Sequence, residues 1–439
     1  MTLPEGWAAA TIADIADTRL GKMLDTAKNK GVSVPYLRNV NVRWGKFDLS
    51  DLFDMRVTSD EYSELAVQDG DLFVCEGGDP GRSAVWREGP QRIVFQKALH
   101  RIRPLGGVEA DFIARYLKHA VESDALAHLL TGTTIRHLPQ VALQRIEVNV
   151  PPKAEQRRIV AKVDLITARI ARARAELDRA SRLSVRMRQT MLAQIFGIKI
   201  EQHWSALKDI GLAVEAGKNL KCDERPPHFN EAGVVKVSAV SGEVFRPDES
   251  KTLPSDYSAP ERDRIHTGDL LLARASGSLR LVGRVAVVKG EPRNLFLSDK
   301  VLRLRLPPEI SDWVHWFLRS PVGRSQIEDA ASGISMHNIT QGSLMGLRLP
   351  VPDVKSRRAA LHIINAAFAR ADRLEAEAAR ARALLDRLES AILAKAFRGE
   401  LVPQDPNDEP ASVLLDRIRA ERAAAPKISQ GRKKKEIIS

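Results

Sequence analysis

The feature that most constrains this chain is an internal repeat with a period of about 200 residues. Residues 70–74 (GDLFV) recur as residues 268–272 (GDLLL), and residues 191–196 (MLAQIF) recur as residues 392–397 (ILAKAF). Each match is short, but all of the matches keep one order and nearly one offset. Two related domains are therefore predicted, in agreement with a length of 439 residues, well beyond one typical domain.

Each half of the chain begins with a part that is predicted to be globular. These parts, residues 1–152 and 200–352, contain short apolar runs punctuated by Gly, Pro and Asp, a pattern typical of strands joined by turns. The predicted strands include residues 72–74, 270–273, 283–288 and 301–306, and short helices are predicted at residues 111–118 and 313–318. Both globular parts are therefore expected to be α+β domains.

Each half ends with a predicted long helix, at residues 153–199 and 353–399. Apolar or small residues alternate there at spacings of four and three, the pattern of a coiled-coil seam, and no proline interrupts residues 153–200 or 353–402. A helix of about 44 residues would span roughly 66 Å. A merely solvated surface helix rarely keeps this pattern over several heptads. The predicted seam consists of Ile159, Val163, Ile166, Ile170, Leu177, Leu374, Leu385, Leu388 and Ile392.

The predicted architecture is α+β, with two similar globular domains separated by two long antiparallel coiled-coil helices that pair with each other. An approximate two-fold relation between the halves follows from the repeat. Residues 400–439 remain as a tail with a short helix at 412–422 and a basic, disordered end.

Composition and charge exclude several classes of protein. The sequence has no apolar run of 18 residues and no signal-peptide pattern at its start, so a soluble cytoplasmic protein without a membrane partner is expected. The two cysteines lie far apart in sequence, which excludes a cysteine cluster for zinc. The formal net charge of +12 comes entirely from residues 153–199 (net +8) and 353–399 (net +4). Near-neutral globular parts would bind a polyanion only through locally basic loops.

The sequence offers no complete catalytic motif. Its three Pro-Pro pairs lack the Asn or Asp before them and the aromatic residue after them that an adenine methyltransferase uses to hold a flipped base. Residues 247–251 (PDESK) and 352–355 (PDVK) place nuclease-type elements too close together to occupy two strands, and residues 211–219 (GLAVEAGKN) depart from a phosphate-binding loop. A non-catalytic chain with no metal site and no bound cofactor is therefore predicted.

Several motifs resemble the specificity subunits of type I restriction-modification enzymes. The run at residues 396–411 (AFRGELVPQDPNDEPA) is typical of that family. The first half is similar to it at residues 3–7 (LPEGW), 131–134 (TGTT) and 150–160 (VPPKAEQRRIV). The second half departs from the pattern, because it lacks a Glu-Gln pair before Arg357. The resemblance covers essentially the whole chain.

This resemblance implies a function, a set of partners and their cofactors. Each globular domain would read one half of a split target in double-stranded DNA, and the helices would bind two methyltransferase subunits and set the gap between the half-sites. A restriction subunit, a motor and nuclease, would then join the complex. S-adenosylmethionine is expected in the methyltransferase subunits, and ATP and Mg²⁺ in the restriction subunit. Because the two domains differ greatly in sequence, the target should be asymmetric.

Two loops in each domain are predicted to contact DNA. Glycine allows close backbone approach, and Arg, Lys, His, Asn, Ser and Thr supply hydrogen bonds to bases and phosphates. The candidates in the first domain are Arg82, Ser83, Lys97, Thr133, Thr134, Arg136 and His137. The candidates in the second domain are Arg274, Ser276, Ser278, Arg280, Lys300, Ser335, His337 and Asn338.

Two other functions compete with DNA recognition. A coiled-coil adaptor without a DNA role would explain the long helices but not two elaborate, diverged domains. A fused DNA-modifying enzyme would need catalytic motifs, and those sought above are absent from the sequence.

Overall fold

The computed structural model describes residues 3–25, 27–89, 91–132, 136–197, 203–242 and 244–424. The chain divides into two compact units. The first unit comprises residues 1–176 and 381–439, and the second comprises residues 177–380. Both long helices therefore contribute one part to each unit, so the units do not coincide with the two sequence repeats.

Short strands and helices make up the first repeat. Its strands are β1 (Ala8–Thr11), β2 (Ala16–Leu20), β3 (Val32–Leu37), β4 (Val42–Arg43), β5 (Lys46–Phe47), β6 (Phe53–Val57), β7 (Leu72–Cys75), β8 (Ser83–Val85), β9 (Val94–Phe95), β10 (Leu99–Pro104) and β11 (Glu147–Val150). Its helices are α1 (Ile12–Ile15), α2 (Ser59–Leu65), α3 (Ala110–Glu122), α4 (Gln140–Gln144) and the long α5 (Lys153–Gly197).

The first unit contains two main sheets, and the strand β7 is buried between two cores. A four-stranded sheet has the order β2-β10-β7-β8, and a three-stranded sheet has the order β6-β3-β9. Side chains alternate across β7, as expected for a strand. Leu72 and Val74 face the core that contains Phe112 of α3, whereas Phe73 faces the core that contains Tyr36 of β3. The strand LFVC is buried on both faces, which explains why it shows no polar alternation.

The second repeat follows the same plan. Its strands are β12 (Trp204–Ala206), β13 (Ala213–Ala216), β14 (Gly233–Val235), β15 (Ser250–Thr252), β16 (Leu270–Ala273), β17 (Ala275–Ser276), β18 (Val285–Val287), β19 (Leu295–Phe296), β20 (Val301–Arg305), β21 (His337–Asn338) and β22 (Arg348–Pro350). Its helices are α6 (Ser238–Ser241), α7 (Pro308–Arg319), α8 (Pro321–Ala330), α9 (Gln341–Met345) and the long α10 (Val354–Phe397), and α11 (Ala411–Ala424) follows.

Sheet topology confirms the internal repeat. The second unit contains a four-stranded sheet of order β13-β20-β16-β18 and a three-stranded sheet of order β15-β14-β19, which match the two sheets of the first unit strand by strand. In both three-stranded sheets the central strand has one antiparallel and one parallel neighbour. The predicted strands around residues 72, 270, 285 and 301 and the two predicted short helices are all present.

The helices α5 and α10 pack antiparallel within each unit. In the first unit, Arg158 of α5 pairs with Asp408 beyond the end of α10, and Arg174 pairs with Asp386 within it, both at 2.6 Å. In the second unit, Ser184 of α5 bonds Glu375 at 3.2 Å, and Arg188 pairs with Asp372 at 2.9 Å. Position increases along α5 as it decreases along α10, which confirms the predicted antiparallel coiled-coil fold.

The predicted seam is wrong for Leu374 and Leu388, which are 50% and 47% exposed. Ile159, Val163, Ile170 and Ile392 are buried, and Ile166, Leu177 and Leu385 are half-buried. The buried line of α10 keeps the alternation of four and three but follows another phase. Its members are residues 364, 368, 371, 375, 378, 382, 385, 389, 392 and 396, all buried or half-buried.

Ion pairs explain this phase of the seam. Glu389 is only 9% exposed and pairs with Lys118 of α3 and with Arg174 of α5. Burial opposes ionisation of Glu389, but hydrogen bonds from those two cations outweigh burial and lower its pKa. The carboxylates therefore lie in the seam, and the leucines one position before them remain in solvent.

The C-terminal segment completes the first unit. Ala411, Leu414, Leu415 and Ile418 of α11 belong to the same core as Ile12 and Ile15 of α1. Arg422 donates hydrogen bonds to the carbonyl oxygens of Ala13 and Ala16. The predicted helix at 412–422 is thus part of a packed element, and the basic end at 425–439 lies outside the described residues.

No helix in the described part of the chain is long and apolar enough to cross a membrane. Within the same residues, no group of three or more His, Cys, Asp or Glu side chains is arranged to hold a metal ion.

Candidate DNA-recognition loops

In the first unit, the loop after β7 contacts the Thr-Gly loop around residue 132. The backbones of Gly77 and His137 form a β-bridge, and His137 also bridges Thr131. The amide of Leu138 donates to the carbonyl of Glu76 at 2.7 Å. A side chain on Gly77 would place its Cβ 2.8 Å from Nδ1 of His137, so the imidazole of His137 would have to shift.

The second unit joins its equivalent loops in the same way. The strand β17 pairs with β21, which places Ala275 opposite Asn338 and Ser276 opposite His337. Ser332 and Asn338 exchange two backbone hydrogen bonds of 3.0 and 2.8 Å. Since both units bring the two predicted loops together, the pairing is a property of the repeat.

The predicted lysines lie beside these loops. In the second unit, the amide of Arg274 donates to the carbonyl of Lys300 at 2.9 Å. In the first unit, the amide of Glu76 donates to the carbonyl of Ala98 at 3.0 Å, next to Lys97. Both lysine side chains are exposed. In each unit, backbone hydrogen bonds therefore join the two loops to each other and to the segment that carries one exposed lysine.

The structure contradicts the prediction for Ser83 and restricts Arg82. Ser83 is 1% exposed because it lies inside β8, opposite Val74 of β7, so it does not reach DNA. The Arg82 guanidinium donates to the carbonyl of Asn39 at 2.9 Å and contacts Asp79 at 3.3 Å. The Arg82 side chain, which was predicted to contact DNA, therefore stabilises its own loop.

The remaining candidates differ in how much of their surface reaches solvent. In the first unit, Arg136 and His137 are exposed, whereas Thr133 and Thr134 lie outside the described residues. The exposed candidates of the second unit are Ser278, Arg280, Lys300 and Ser335, and the half-buried ones are Arg274, Ser276, His337 and Asn338.

A buried ion pair fixes the strands that carry the loops. In the first unit, Asp71, just before β7, accepts two hydrogen bonds from Arg103 of β10, of 2.7 and 2.9 Å. In the second unit, Asp269, just before β16, accepts from Arg303 and Arg305 of β20, both at 3.1 Å. The candidate loops of both units therefore project from a sheet whose neighbouring strands are joined by ion pairs.

Sequence reasoning missed a cleft of mixed charge in the first unit. Arg43, Trp44 and Lys46 of the β4–β5 hairpin line it together with Asp48, Asp79 and Arg82, and its volume is about 650 Å³. The amide of Gly45 donates to the carbonyl of Ser83 at 3.0 Å, which holds the hairpin against β8. The two strands have only two residues each, too few for a period-two pattern.

Sequence reasoning also missed most of a lysine-lined cavity of about 340 Å³ in the second unit. Its lining includes Lys218, Lys236, Lys251 and Lys300. Glu224 pairs with Lys251 at 2.5 Å and with Lys236 at 4.0 Å, and the hydrogen bond from Lys251 lowers the pKa of Glu224. Lys218 and Lys300 form no ion pair with any residue that the structure describes, which leaves two cations for an anionic ligand.

A second surface lies on the long helices. In the first unit, Leu165 of α5 and Leu384 and Leu388 of α10 are exposed. In the second unit, Leu183 and Met187 of α5 are exposed and line a groove of about 340 Å³. Leu183 and Met187 correspond to Leu384 and Leu388 in the repeat, so each unit exposes the same kind of apolar helix face.

Comparison with known proteins shows which family this chain is similar to. Residues 4–178 match the family described as "Type I restriction modification DNA specificity domain". The EcoKI specificity subunit of Escherichia coli strain K12 is 27% identical over 468 aligned positions, which cover 98% of this chain and 99% of that subunit. The chain is similar over nearly its whole length to specificity subunits of type I restriction-modification systems.

Two solved structures share the fold of this chain. A chain from a study of complex assembly and conformational transition of the type I system matches with a TM-score of 0.71 at 19% identity, covering 91% of this chain and all of that chain. The HsdS subunit from Thermoanaerobacter tengcongensis matches with a TM-score of 0.56 at 20% identity, covering 91% of this chain and 99% of that one. The predicted resemblance to specificity subunits and the predicted fold are thereby confirmed.

Proposed function

We propose that this chain is a specificity subunit that reads a bipartite, asymmetric target in double-stranded DNA, one half-site with each unit. The observation that carries the proposal is the duplicated junction of the two loops, Gly77 with His137 and Ala275 with Asn338. Each junction lies beside an exposed lysine and projects from a sheet whose strands are joined by Arg–Asp ion pairs. Lys, Arg and Ser side chains would contact phosphates and fix the register, and Arg, Asn and His side chains would read base edges.

The asymmetry of the target follows from the chemistry of the two junctions. The first presents the sequence TGTTIRH at residues 131–137, and the second presents SGISMHN at residues 332–338. The neighbouring cavities differ as well, because the first contains Trp44 and Phe47 whereas the second is lined by four lysines. Different donors, acceptors and apolar groups select different bases.

The exposed helix faces support docking of two methyltransferase subunits, one on each unit. Leu384 and Leu388 in the first unit and Leu183 and Met187 in the second are repeat equivalents, which fits two copies of one partner. Exposed apolar residues grouped on a helix mark interaction surfaces. A restriction subunit would join through the methyltransferases.

In this complex the chain would recognise the target sequence and its partners would carry out the methylation and cleavage. The methyltransferase subunits would bind S-adenosylmethionine, and the restriction subunit would bind ATP and Mg²⁺. The subunit itself would be non-catalytic, bind no cofactor, and act in the cytoplasm on the DNA present there.

The test is genome-wide adenine methylation by single-molecule sequencing, in a host that carries the partner methyltransferase, with and without this gene. The expected result is a split, asymmetric methylated motif that disappears when the gene is deleted. Unchanged motifs in an actively methylating background would contradict the proposal and favour the adaptor function. A second run with a variant altered only in residues 332–338 should change one half of the motif and preserve the other.

A further inference from the structure

Ile334 occupies an unusual position in the second unit. Its side chain is 100% exposed, the largest exposed fraction among the large hydrophobic residues that the structure describes. It lies at the tip of the loop at residues 332–338, and Met336, two residues further on, is 51% exposed. The same loop carries Ser335, His337 and Asn338, which were predicted to contact DNA. An apolar side chain at the tip of a polar loop fits a ligand that carries an apolar group next to hydrogen-bonding groups.

Backbone hydrogen bonds close the base of the loop that carries this tip. Ser332 and Asn338 close the loop with two hydrogen bonds, and Asn338 also pairs with Ala275 of β17. Gly333 adopts φ +108°, and the carbonyl oxygen of Met336 occupies the space where a Cβ of residue 333 would lie. The loop therefore presents Ile334 on a preorganised support, so little conformational entropy is lost on binding.

The surroundings of the tip are cationic. The carbonyl of Arg274 accepts a hydrogen bond of 3.0 Å from the amide of Ile339, at the end of the loop, and Arg274 in turn contacts the backbone of Lys300. Arg280 and Lys300 are exposed. Basic residues around the loop fit a polyanion, and a two-stranded ribbon such as β17 with β21 fits the major groove of B-DNA. The apolar group that the major groove offers is the C5 methyl of thymine.

We propose that Ile334 is a specificity-determining residue that contacts the C5 methyl group of a thymine in the major groove of the second half-site. This inference rests on the proposed function and adds to it the identity of one recognised base. The equivalent position of the first repeat is Thr133, which carries a hydroxyl group. The two loops thus differ in sequence at this position, and the apolar isoleucine belongs to the second loop.

The test measures DNA binding by the full complex with its methyltransferase subunits, on duplexes that carry the motif found by methylation sequencing. Each thymine of the second half-site is replaced in turn by deoxyuridine, which lacks only the methyl group. For the wild-type complex, one replacement should weaken binding about fourfold, the effect of about 0.8 kcal/mol for one buried methyl group. The variant Ile334→Ser should bind the thymine duplex more weakly and show no loss at that replacement.

Two control variants separate the contact from general effects. Ile334→Val keeps a branched apolar tip and should retain most of the affinity and the sensitivity to deoxyuridine. Val244→Ser removes another exposed apolar side chain of the same unit and should leave both unchanged.

Three results would overturn the inference while leaving the proposed function intact. They are a second half-site without an A·T pair, a wild-type complex that is insensitive to every deoxyuridine, and an Ile334→Ser variant that keeps the wild-type sensitivity. A wild-type complex without any sequence preference would overturn the proposed function together with the inference.

Discussion

At the scale of single residues, the family motif around Glu155 has a structural role. The indole nitrogen of Trp7 donates to Glu155 at 3.1 Å, and Glu155 is buried. Gln156 accepts a hydrogen bond of 2.9 Å from the amide of Glu109 and donates one of 2.9 Å to the carbonyl of Pro151. These contacts connect the start of α5 to the N-terminal segment and to the start of α3. They therefore fix the orientation of α5 relative to the globular part that precedes it.

The Trp7–Glu155 pair predicts a pH-dependent stability. Burial raises the pKa of Glu155, and the hydrogen bond from Trp7 opposes that shift. Because the native state favours the protonated carboxyl, its contribution to stability is greatest below the unfolded-state pKa and is lost as pH rises through the folded-state pKa. Glu155→Gln should therefore match the wild type near pH 4 and exceed it at pH 8 by on the order of 1 kcal/mol, measured by thermal unfolding of the full chain.

Trp7→Phe is the complementary change. It leaves the buried carboxylate without its donor and should cost about 1.5–3 kcal/mol at pH 8, which lowers the melting temperature of a unit of this size by several degrees. In the double variant with Glu155→Gln the cost should shrink, since no charge remains to be satisfied. Equal costs of Trp7→Phe in both backgrounds would show that the hydrogen bond is unimportant.

The exposed lysines give a prediction about DNA affinity. Lys97→Ala and Lys300→Ala should each weaken binding to all sequences about equally and reduce the slope of log affinity against log salt by about one, because one phosphate contact is lost. Filter binding or anisotropy from 50 to 200 mM salt would measure both quantities. Ser83→Ala is the matched control from the same predicted set, and since Ser83 is buried it should change neither. An unchanged slope for both lysine variants would place them away from the phosphates.

At the scale of elements, sequence periodicity predicted the helices well and their packing face less well. The spacing of four and three predicted both long helices, because the seam keeps that spacing whatever residues occupy it. The choice between Leu388 and Glu389 required knowledge of Lys118 and Arg174, which approach from other elements. Hydrophobicity alone favours the leucine, so the phase of the seam could not be predicted from the sequence of the helix.

The exposed leucines predict a stoichiometry. The double variant Leu384→Glu with Leu388→Glu should abolish docking of one methyltransferase subunit, and Leu183→Glu with Met187→Glu should abolish docking of the other, because a charge in an apolar interface is left unpaired. Native mass spectrometry of the assembled complex should find one methyltransferase instead of two in each case. All four residues are solvent-exposed in the free chain, so its thermal unfolding should be unchanged.

The matched control for this prediction is Val413→Glu, at an exposed position on α11 outside the long helices. Two bound methyltransferases in both double variants would mean that the partner uses another surface of the chain.

At the scale of the whole molecule, the repeat was the most informative feature of the sequence. It predicted two domains of one topology, and the strand orders of the two four-stranded sheets agree with it. The candidate loops were predicted only in part. Their positions after repeated strands were visible in the sequence. The burial of Ser83 depends on the pairing of β8 with β7, and the lysine cavity depends on contacts between residues far apart in the chain.

The antiparallel helix pair predicts how the gap between half-sites is encoded. Ion pairs match Arg174 with Asp386 in one unit and Arg188 with Asp372 in the other, so residues 175–181 of α5 correspond to residues 379–385 of α10. Deleting both segments removes one heptad from each helix and preserves the phase of the seam. At 1.5 Å per residue the helices shorten by about 10 Å, which equals about three base pairs of B-DNA.

Methylation sequencing of a host that carries this double deletion should therefore find both half-sites unchanged and the gap between them reduced by about three base pairs. Deleting only residues 175–181 breaks the match between the helices and should weaken methylation at every spacing, which serves as the control. A change in the bases of either half-site would contradict a spacer function for the helices, because it would show that the helix pair shapes the reading loops themselves. An unchanged gap would show that contacts with the partner subunits set the distance, independent of helix length.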